Sequence, residues 1–202
     1  MEVRGETAEI ARHNPPRAVP DSGPPSFVFV RAFRIFPTIM ATPGSILILG
    51  IGNYLMGDEG VGVHAIKALE QEPVPPGVSL LDGGTGGFHL LSYLQDYPTV
   101  LLIDATMDGG SPGTVRVLRP RFASDFPRAL SAHDIGLRDL IESAILTGKL
   151  PDIHLVTVSI GDLNDMKTEL SPEVGAAIPS VVAAVRGILK DLLAESPAKE
   201  NT

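Results

Sequence analysis

A short apolar run followed by a glycine-rich segment is the feature that most constrains the fold. Residues 45–49 read Ser-Ile-Leu-Ile-Leu and are followed directly by Gly50. A short run in which both faces of the strand would be apolar predicts a buried strand of a parallel sheet. Apolar positions then recur near helical spacing, which predicts a helix from about Asp58 to Gln71. The segment Gly50–Gly62 is therefore a strand-to-helix turn at the carboxyl edge of the sheet, where open α/β folds bind ligands.

The same alternation of strand and helix continues along the chain. The pattern predicts five strands, at Ser45–Gly50, Val78–Leu81, Thr99–Ile103, Thr114–Leu118 and Ile153–Ile160. Three further helices are predicted around residues 90–94, over residues 137–146 and from about Ser180 to Leu193. Such alternation predicts an α/β fold, a three-layer αβα sandwich with a mainly parallel, five-stranded twisted sheet and helices on both faces.

The ends of the chain differ in composition from its middle. Residues 1–43 contain clustered prolines and scattered charges, so we interpret them as a disordered leader or as a start codon assigned too early, with Met40 as a natural start. Within them, residues 27–35 alternate loosely and offer the alternative of a strand added to a sheet edge. We expect residues 44–195 to form the domain and residues 196–202 a polar tail.

Composition excludes several classes of function. A net charge of −8 over 202 residues argues against a nucleic-acid surface, which requires a basic stripe. No apolar run approaches the roughly 20 residues that span a bilayer. The absence of cysteine excludes a thiol nucleophile, a cysteine zinc site and any disulfide framework, and it is compatible with a reducing cytoplasm.

The glycine-rich turn does not fit a dinucleotide-binding loop. That fingerprint requires G-x-G-x-x-G with pyrophosphate at the helix N-terminus, whereas here the third glycine, Gly57, comes two positions late. Asp58 and Glu59 stand where the pyrophosphate would lie, and carboxylates there repel an anion and suit a cation. Asp58 is also a good N-cap, which is the simpler interpretation of that residue. Glu59 is the candidate ligand.

Two further residues are candidates for the same site. Asp104 follows the predicted third strand and lies at the same sheet edge as Glu59 if the first and third strands are neighbours. The alternative is a turn aspartate bonded to local amides. His133 precedes a predicted helix and offers an imidazole ligand, although a loop histidine near an N-cap at Asp134 is the simpler interpretation from the residues alone. We expect Glu59 and His133 to lie at the surface of a cleft.

The other histidines are weaker candidates. His64 lies about 140° round the helix from Glu59, so it should not face the same ion. His89 stands beside a glycine loop and is near enough in sequence to reach the cleft. His154 falls within a predicted strand and is interpreted as structural, and His13 lies in the leader.

A second glycine-rich loop follows the predicted second strand. Asp82-Gly83-Gly84-Thr85 allows close approach of another backbone, and its amides could bind a substrate carbonyl or carboxylate. The alternative is a tight turn in which Asp82 bonds its own loop, and the two interpretations are compatible.

These segments resemble a known family. The pattern G-x-G-N-x-L-x-x-D-E-G-x-G at Gly50–Gly62 is similar to the opening of the nickel–iron hydrogenase maturation proteases, and the D-G-G-T loop resembles their second signature. The resemblance covers roughly residues 45–193. It implies an endopeptidase that removes the C-terminal extension of the hydrogenase large-subunit precursor after nickel insertion. Composition adds the expectations of a cytoplasmic protein with no nucleic-acid or membrane partner.

The resemblance also implies the roles of individual residues. Glu59, Asp104 and His133 match the family's metal-binding glutamate, aspartate and histidine, and the nickel is supplied by the substrate, with no organic cofactor. The residues alone are equally compatible with zinc, manganese or iron. Glu59 or Asp104, with Asp82 as a further candidate, would be the base for a water attacking a metal-polarised carbonyl.

Alternatives to a peptidase follow from what the sequence lacks. Neither a G-x-S-x-G elbow nor an H-E-x-x-H motif is present. A nickel-sensing chaperone that binds the hydrogenase large subunit without cleaving it is therefore the second hypothesis. Nucleotide binding is the third, and the carboxylates of Asp58 and Glu59 argue against it.

Overall fold

The computed structural model describes residues 45–122, 125–126, 137–148, 150–161 and 166–195. The predicted leader, the predicted polar tail and His133 lie outside these residues. The described residues form a sheet between two layers of helices. None of the helices among them is long and apolar enough to cross a bilayer.

The sheet has five strands in the order β2-β1-β3-β5-β4. All neighbours are parallel except β4 and β5, which are antiparallel. The predicted fold class is therefore confirmed, and the first and third strands are neighbours, which is the condition for Asp104 and Glu59 to lie at one edge. The strands are β1 (Ile46–Gly50), β2 (Val78–Asp82), β3 (Thr99–Thr106), β4 (Val115–Leu118) and β5 (Asp152–Ser159).

Within the described ranges, four α-helices cover the two faces of the sheet. Side chains of α1 and α4 pack in one apolar cluster, and side chains of α2 and α3 pack in a second cluster on the opposite face. Short 3₁₀ turns, Gly57–Gly60 and Phe88–Leu90, precede α1 and α2. The helices are α1 (Val61–Leu69), α2 (Leu91–Asp96), α3 (Leu137–Leu146) and α4 (Pro172–Glu195).

The largest error of the sequence-based prediction concerns α4. The helix begins at Pro172 rather than Ser180, and it includes Gly175 and Pro179, two residue types that usually interrupt a helix. A buried stripe at helical spacing explains why the helix tolerates a proline, since packing against the sheet outweighs local propensity. Its members are Val174, Ala177, Val181, Val185 and Leu189.

The interpretation of Asp58 as the cap of its own helix is also wrong. Its Oδ1 accepts the backbone N–H of Ser171 at 2.6 Å, and Ser171 directly precedes α4. Asp58 is therefore structural, but it fixes the start of a helix more than a hundred positions away in sequence.

Asp58→Ala is expected to lower the free energy of unfolding by about 1–3 kcal/mol, because it removes a half-buried, charge-assisted hydrogen bond. Urea unfolding followed by circular dichroism measures this change. Asp191→Ala, at an exposed position of α4, is the matched control and should change stability by less than about 0.5 kcal/mol. Equal effects of the two substitutions would contradict the assigned role.

Candidate functional site

The candidate site is built at the carboxyl edge of the parallel strands. The chain leaving β1 is held there by backbone hydrogen bonds to both neighbours. The N–H of Ile51 donates to the carbonyl of Ile103 at 2.9 Å, and the N–H of Gly52 donates to the carbonyl of Gly84 at 2.7 Å. The turn after β1, the D-G-G-T loop after β2 and the end of β3 are therefore fixed against one another.

Two glycines of the Gly50–Gly62 motif allow unusually close backbone contacts at this edge. A Cβ atom on Gly62 would stand 2.2 Å from the carbonyl oxygen of Ile51 and 2.5 Å from that of Ile103. A Cβ atom on Gly52, whose φ is +147°, would stand 1.9 Å from the carbonyl oxygen of Glu59. The glycines thus seat α1 and its preceding 3₁₀ turn directly on the strand ends. Their spacing serves this packing rather than a pyrophosphate.

Glu59 and Asp104 are both buried at this edge. Glu59 lies in the 3₁₀ turn that precedes α1, and this turn contacts β3. The side chain of Glu59 is 2 % exposed. Asp104 lies inside β3 and is fully buried, and its Oδ1 accepts the N–H of Ala105 at 2.8 Å. The expectation that Asp104 ends its strand is therefore wrong, because β3 continues to Thr106. The expectation that Glu59 lies at the surface is wrong as well, because the turn packs on the sheet.

Asp104 faces the α2 and α3 side of the sheet. Alternate residues of a strand point to opposite faces, and Val100 and Leu102 belong to the apolar cluster on that side. Leu137 of α3 packs in the same cluster. His133, which lies outside the described residues, stands only four positions before Leu137 in sequence. Among the residues that the structure describes, no three histidine, aspartate or glutamate side chains form a metal-binding group.

The sequence analysis missed a polar patch beside Asp104. Thr106, Thr157 and Ser159 are buried, and the register pairs Asp104 with Thr157 and Thr106 with Ser159. By strand alternation all four side chains lie on the α2 and α3 face of the sheet. The available signal was the change from apolar to hydroxyl residues within the last three positions of both strands. The patch makes the surroundings of Asp104 polar although they are buried.

Asp82 is the last residue of β2 and is exposed. Its Oδ1 accepts the N–H of Gly84 at 2.9 Å, so the predicted tight turn is present. In the register Asp82 pairs with Gly50, and Gly50 pairs with Ile103. Asp82 therefore lies about 10 Å, or two strand spacings, from β3. It borders the site on the solvent side.

The remaining histidines have other surroundings. The Nε2 of His64 lies 3.0 Å from the carbonyl oxygen of Thr168, and its ring stacks on Tyr54 with 5.0 Å between centroids. His154 lies in β5 beside Asp152, and burial is the main cause that lowers the pKa of its imidazole. The surroundings of His154 match its interpretation as a structural residue. His89 is exposed in the 3₁₀ turn after the D-G-G-T loop.

Known proteins similar to this chain are described as hydrogenase maturation proteases or as hydrogenase expression/formation proteins. Residues 63–188 match the family described as hydrogenase maturation protease. The hydrogenase expression/formation protein HupM of Azotobacter chroococcum is 38% identical over 157 residues, which cover 72% of this chain and 74% of the relative. The hydrogenase 2 maturation protease of Escherichia coli is 34% identical over 152 residues, covering 74% and 88% of the two chains.

The solved structures extend the similarity to the fold. The hydrogenase maturating endopeptidase HybD of Escherichia coli superposes with a TM-score of 0.66 at 34% identity, covering 73% of this chain and 93% of the other. The sheet and helices described above are therefore those of its relatives.

Proposed function

The chain belongs to the hydrogenase maturation protease family, and from this premise we propose that it removes the C-terminal extension of a nickel–iron hydrogenase large-subunit precursor after nickel insertion. The observation that carries the proposal is the burial of two carboxylates, Glu59 and Asp104, at one edge of the sheet. Protein interiors rarely hold carboxylate side chains unless these are paired or bind a cation. The compartment we propose is the cytoplasm, which suits a chain without cysteine.

In this proposal the nickel belongs to the substrate. Glu59 and Asp104 provide carboxylate ligands, and His133 provides an imidazole from the segment before α3. Such a set leaves coordination positions for groups of the precursor itself and suits a borderline divalent ion. Recognition then requires a metal-loaded precursor, because the metal ion of the precursor is what these carboxylates bind.

The reaction proposed is hydrolysis of one peptide bond. The oxygen of a water molecule attacks the carbonyl carbon, the C–N bond breaks, and a proton passes to the leaving amine. Asp82 is the carboxylate best placed to accept the proton from water, because it is exposed at the border of the site whereas Glu59 and Asp104 are buried. Division of the three carboxylates into two ligands and one base follows from this difference in burial.

The direct test is incubation of the purified protein with its organism's own large-subunit precursor, in nickel-loaded and nickel-free forms. Mass spectrometry should show loss of a C-terminal fragment from the nickel-loaded form alone. Binding of the loaded precursor without any change in mass would favour the non-cleaving chaperone instead. Cleavage of both forms at equal rates would contradict the role assigned to nickel.

His133→Ala should reduce this processing by at least about a hundredfold, because one of three ligands is lost. His89→Ala, which changes an exposed histidine near the same edge, is the matched control and should retain the rate. If the two variants behave alike, His133 is not a ligand.

A further inference from the structure

The outer edge of β2 has the features of a strand-binding surface. β2 pairs with β1 on one side, and no strand among the described residues pairs with its other side. The carbonyl of Gly77 accepts from Ile46, and the N–H of Gly83 donates to Gly50. The backbone N–H and C=O groups of successive residues point to opposite sides of a strand, so those of Leu80 and Asp82 point away from β1.

A cavity of about 410 Å³ lies beside this edge on the α1 and α4 face. Leu80 lines it, together with apolar residues from β1, from the ends of α1 and α4 and from the loop between α1 and β2. Three charged residues, Glu72, Arg186 and Lys190, line it as well, and Glu72 is paired with Arg186. Its size is within the range of sites that bury small organic groups. Besides Pro73 and Pro75, the apolar residues that line the cavity are Ile48, Leu69, Val74, Leu80, Leu189 and Leu193.

The edge and the cavity are continuous with the candidate site. Leu80 and Asp82 are two residues apart, which is about 6–7 Å along a strand. Asp82 begins the D-G-G-T loop, whose Gly84 is bonded to the turn that leads to Glu59. An extended chain lying along β2 therefore reaches the site at its end.

We propose that β2 binds the C-terminal extension of the precursor as an added strand, with one apolar side chain of the extension in the cavity. This inference rests on the proposed function and names how that substrate is held. Backbone hydrogen bonds to an open edge provide affinity, and a pocket for alternate side chains provides specificity. The extension fits this role because it has a free end, so it can lie along an edge without threading, whereas the folded body of the precursor cannot.

The first test changes only the ligand. Synthetic peptides of the extension, each with one N-methylated amide, compete with the nickel-loaded precursor for processing. An added strand directs every second N–H toward β2, so inhibition should weaken about tenfold at alternate positions and little at those between. A uniform effect of methylation along the peptide would overturn the proposal.

The second test changes the edge of the enzyme. Leu80→Pro removes an outward N–H and the leucine side chain that lines the cavity, and it leaves the bonds to β1, so the KM for the precursor should rise about tenfold at unchanged kcat. Leu80→Ala removes the side chain alone and should raise the KM by less. The KM should match that of the wild type when the extension is trimmed to two residues. Val117→Pro is the matched control on the opposite edge strand, where the bond from Ser159 to Thr114 places residue 117 outward as well.

The outcomes separate this inference from the proposed function. Without processing by the wild-type protein, the proposed function fails. If the wild type cleaves and Leu80→Pro has an unchanged KM, the proposal of an added strand is wrong while the proposed function stands. If Leu80→Pro does not fold, the scan of N-methylated peptides decides between the two. A photo-reactive residue at position 74 should cross-link to the extension peptide. Cross-links to residues 27–35 of the same chain, or to a second copy, would overturn the assignment of the occupant.

Discussion

Glu59→Gln is expected to lower the rate of processing by at least about a hundredfold while the protein stays folded. Glutamine has the shape of glutamate, so a side chain that is only 2 % exposed is replaced without a cavity. The change removes the negative charge, and with it the attraction for a divalent cation. Processing rates with nickel-loaded precursor, measured by mass spectrometry, and the melting temperature of the variant test both parts.

Glu70→Gln is the control for this substitution. Glu70 stands at the other end of α1 and is exposed, so its neutralisation changes the net charge equally without touching the site. The control should process at the wild-type rate. Full activity of Glu59→Gln would show that Glu59 is no ligand, and a variant that is inactive because it has unfolded would assign the residue to the fold instead.

The strands were predictable from local pattern, most clearly β1, because β1 is buried on both faces. β1 reads as an uninterrupted apolar run, and such a run between glycine and proline signals has few other interpretations. The place of β1 between β2 and β3 then followed from the general topology of doubly wound sheets. Glu59 and Asp104 were assigned to one edge by that topology alone.

What the sequence did not reveal depends on contacts between distant segments. The N–H of Ser171 directly before α4 donates to the carboxylate of Asp58, and nothing near Pro172 in sequence indicates this bond. The local signal for the start of α4, by contrast, was available, since Ser171 is followed by a proline and its Oγ accepts the N–H of Val174. The burial of Glu59 also arises from a contact between distant segments, because the 3₁₀ turn that carries it packs on β3. Propensity and periodicity describe single elements, so they placed the candidate residues at an edge without showing how deeply each is buried.

Gly62→Ala is expected to destabilise the protein by about 3 kcal/mol, at the upper end of the cost of overpacking. The new methyl group would stand 2.2 Å from the carbonyl oxygen of Ile51 and 2.5 Å from that of Ile103. Backbone atoms cannot rotate away as a side chain can, so α1 must move off the strand ends. For a chain of this length the melting temperature should fall by about 6–12 °C.

Gly187→Ala supplies the comparison, since the same methyl group is added to a helix with open space around it. Apart from its chain neighbours and the helix's own backbone, no described atom lies within 4 Å of a Cβ on Gly187, which is an interior position of α4. Because alanine is the better helix former, this variant should gain about 0.5–1 kcal/mol. Opposite signs for the two changes in stability, measured by thermal unfolding, are therefore the expected result.

The processing rate provides a second measurement. Because the turn with Glu59 packs on β3 directly before α1, the Gly62→Ala protein that remains folded should process precursor more slowly than Gly187→Ala. A Gly62→Ala protein as stable and as active as Gly187→Ala would show that the close packing at the strand ends is not what the motif's glycine provides.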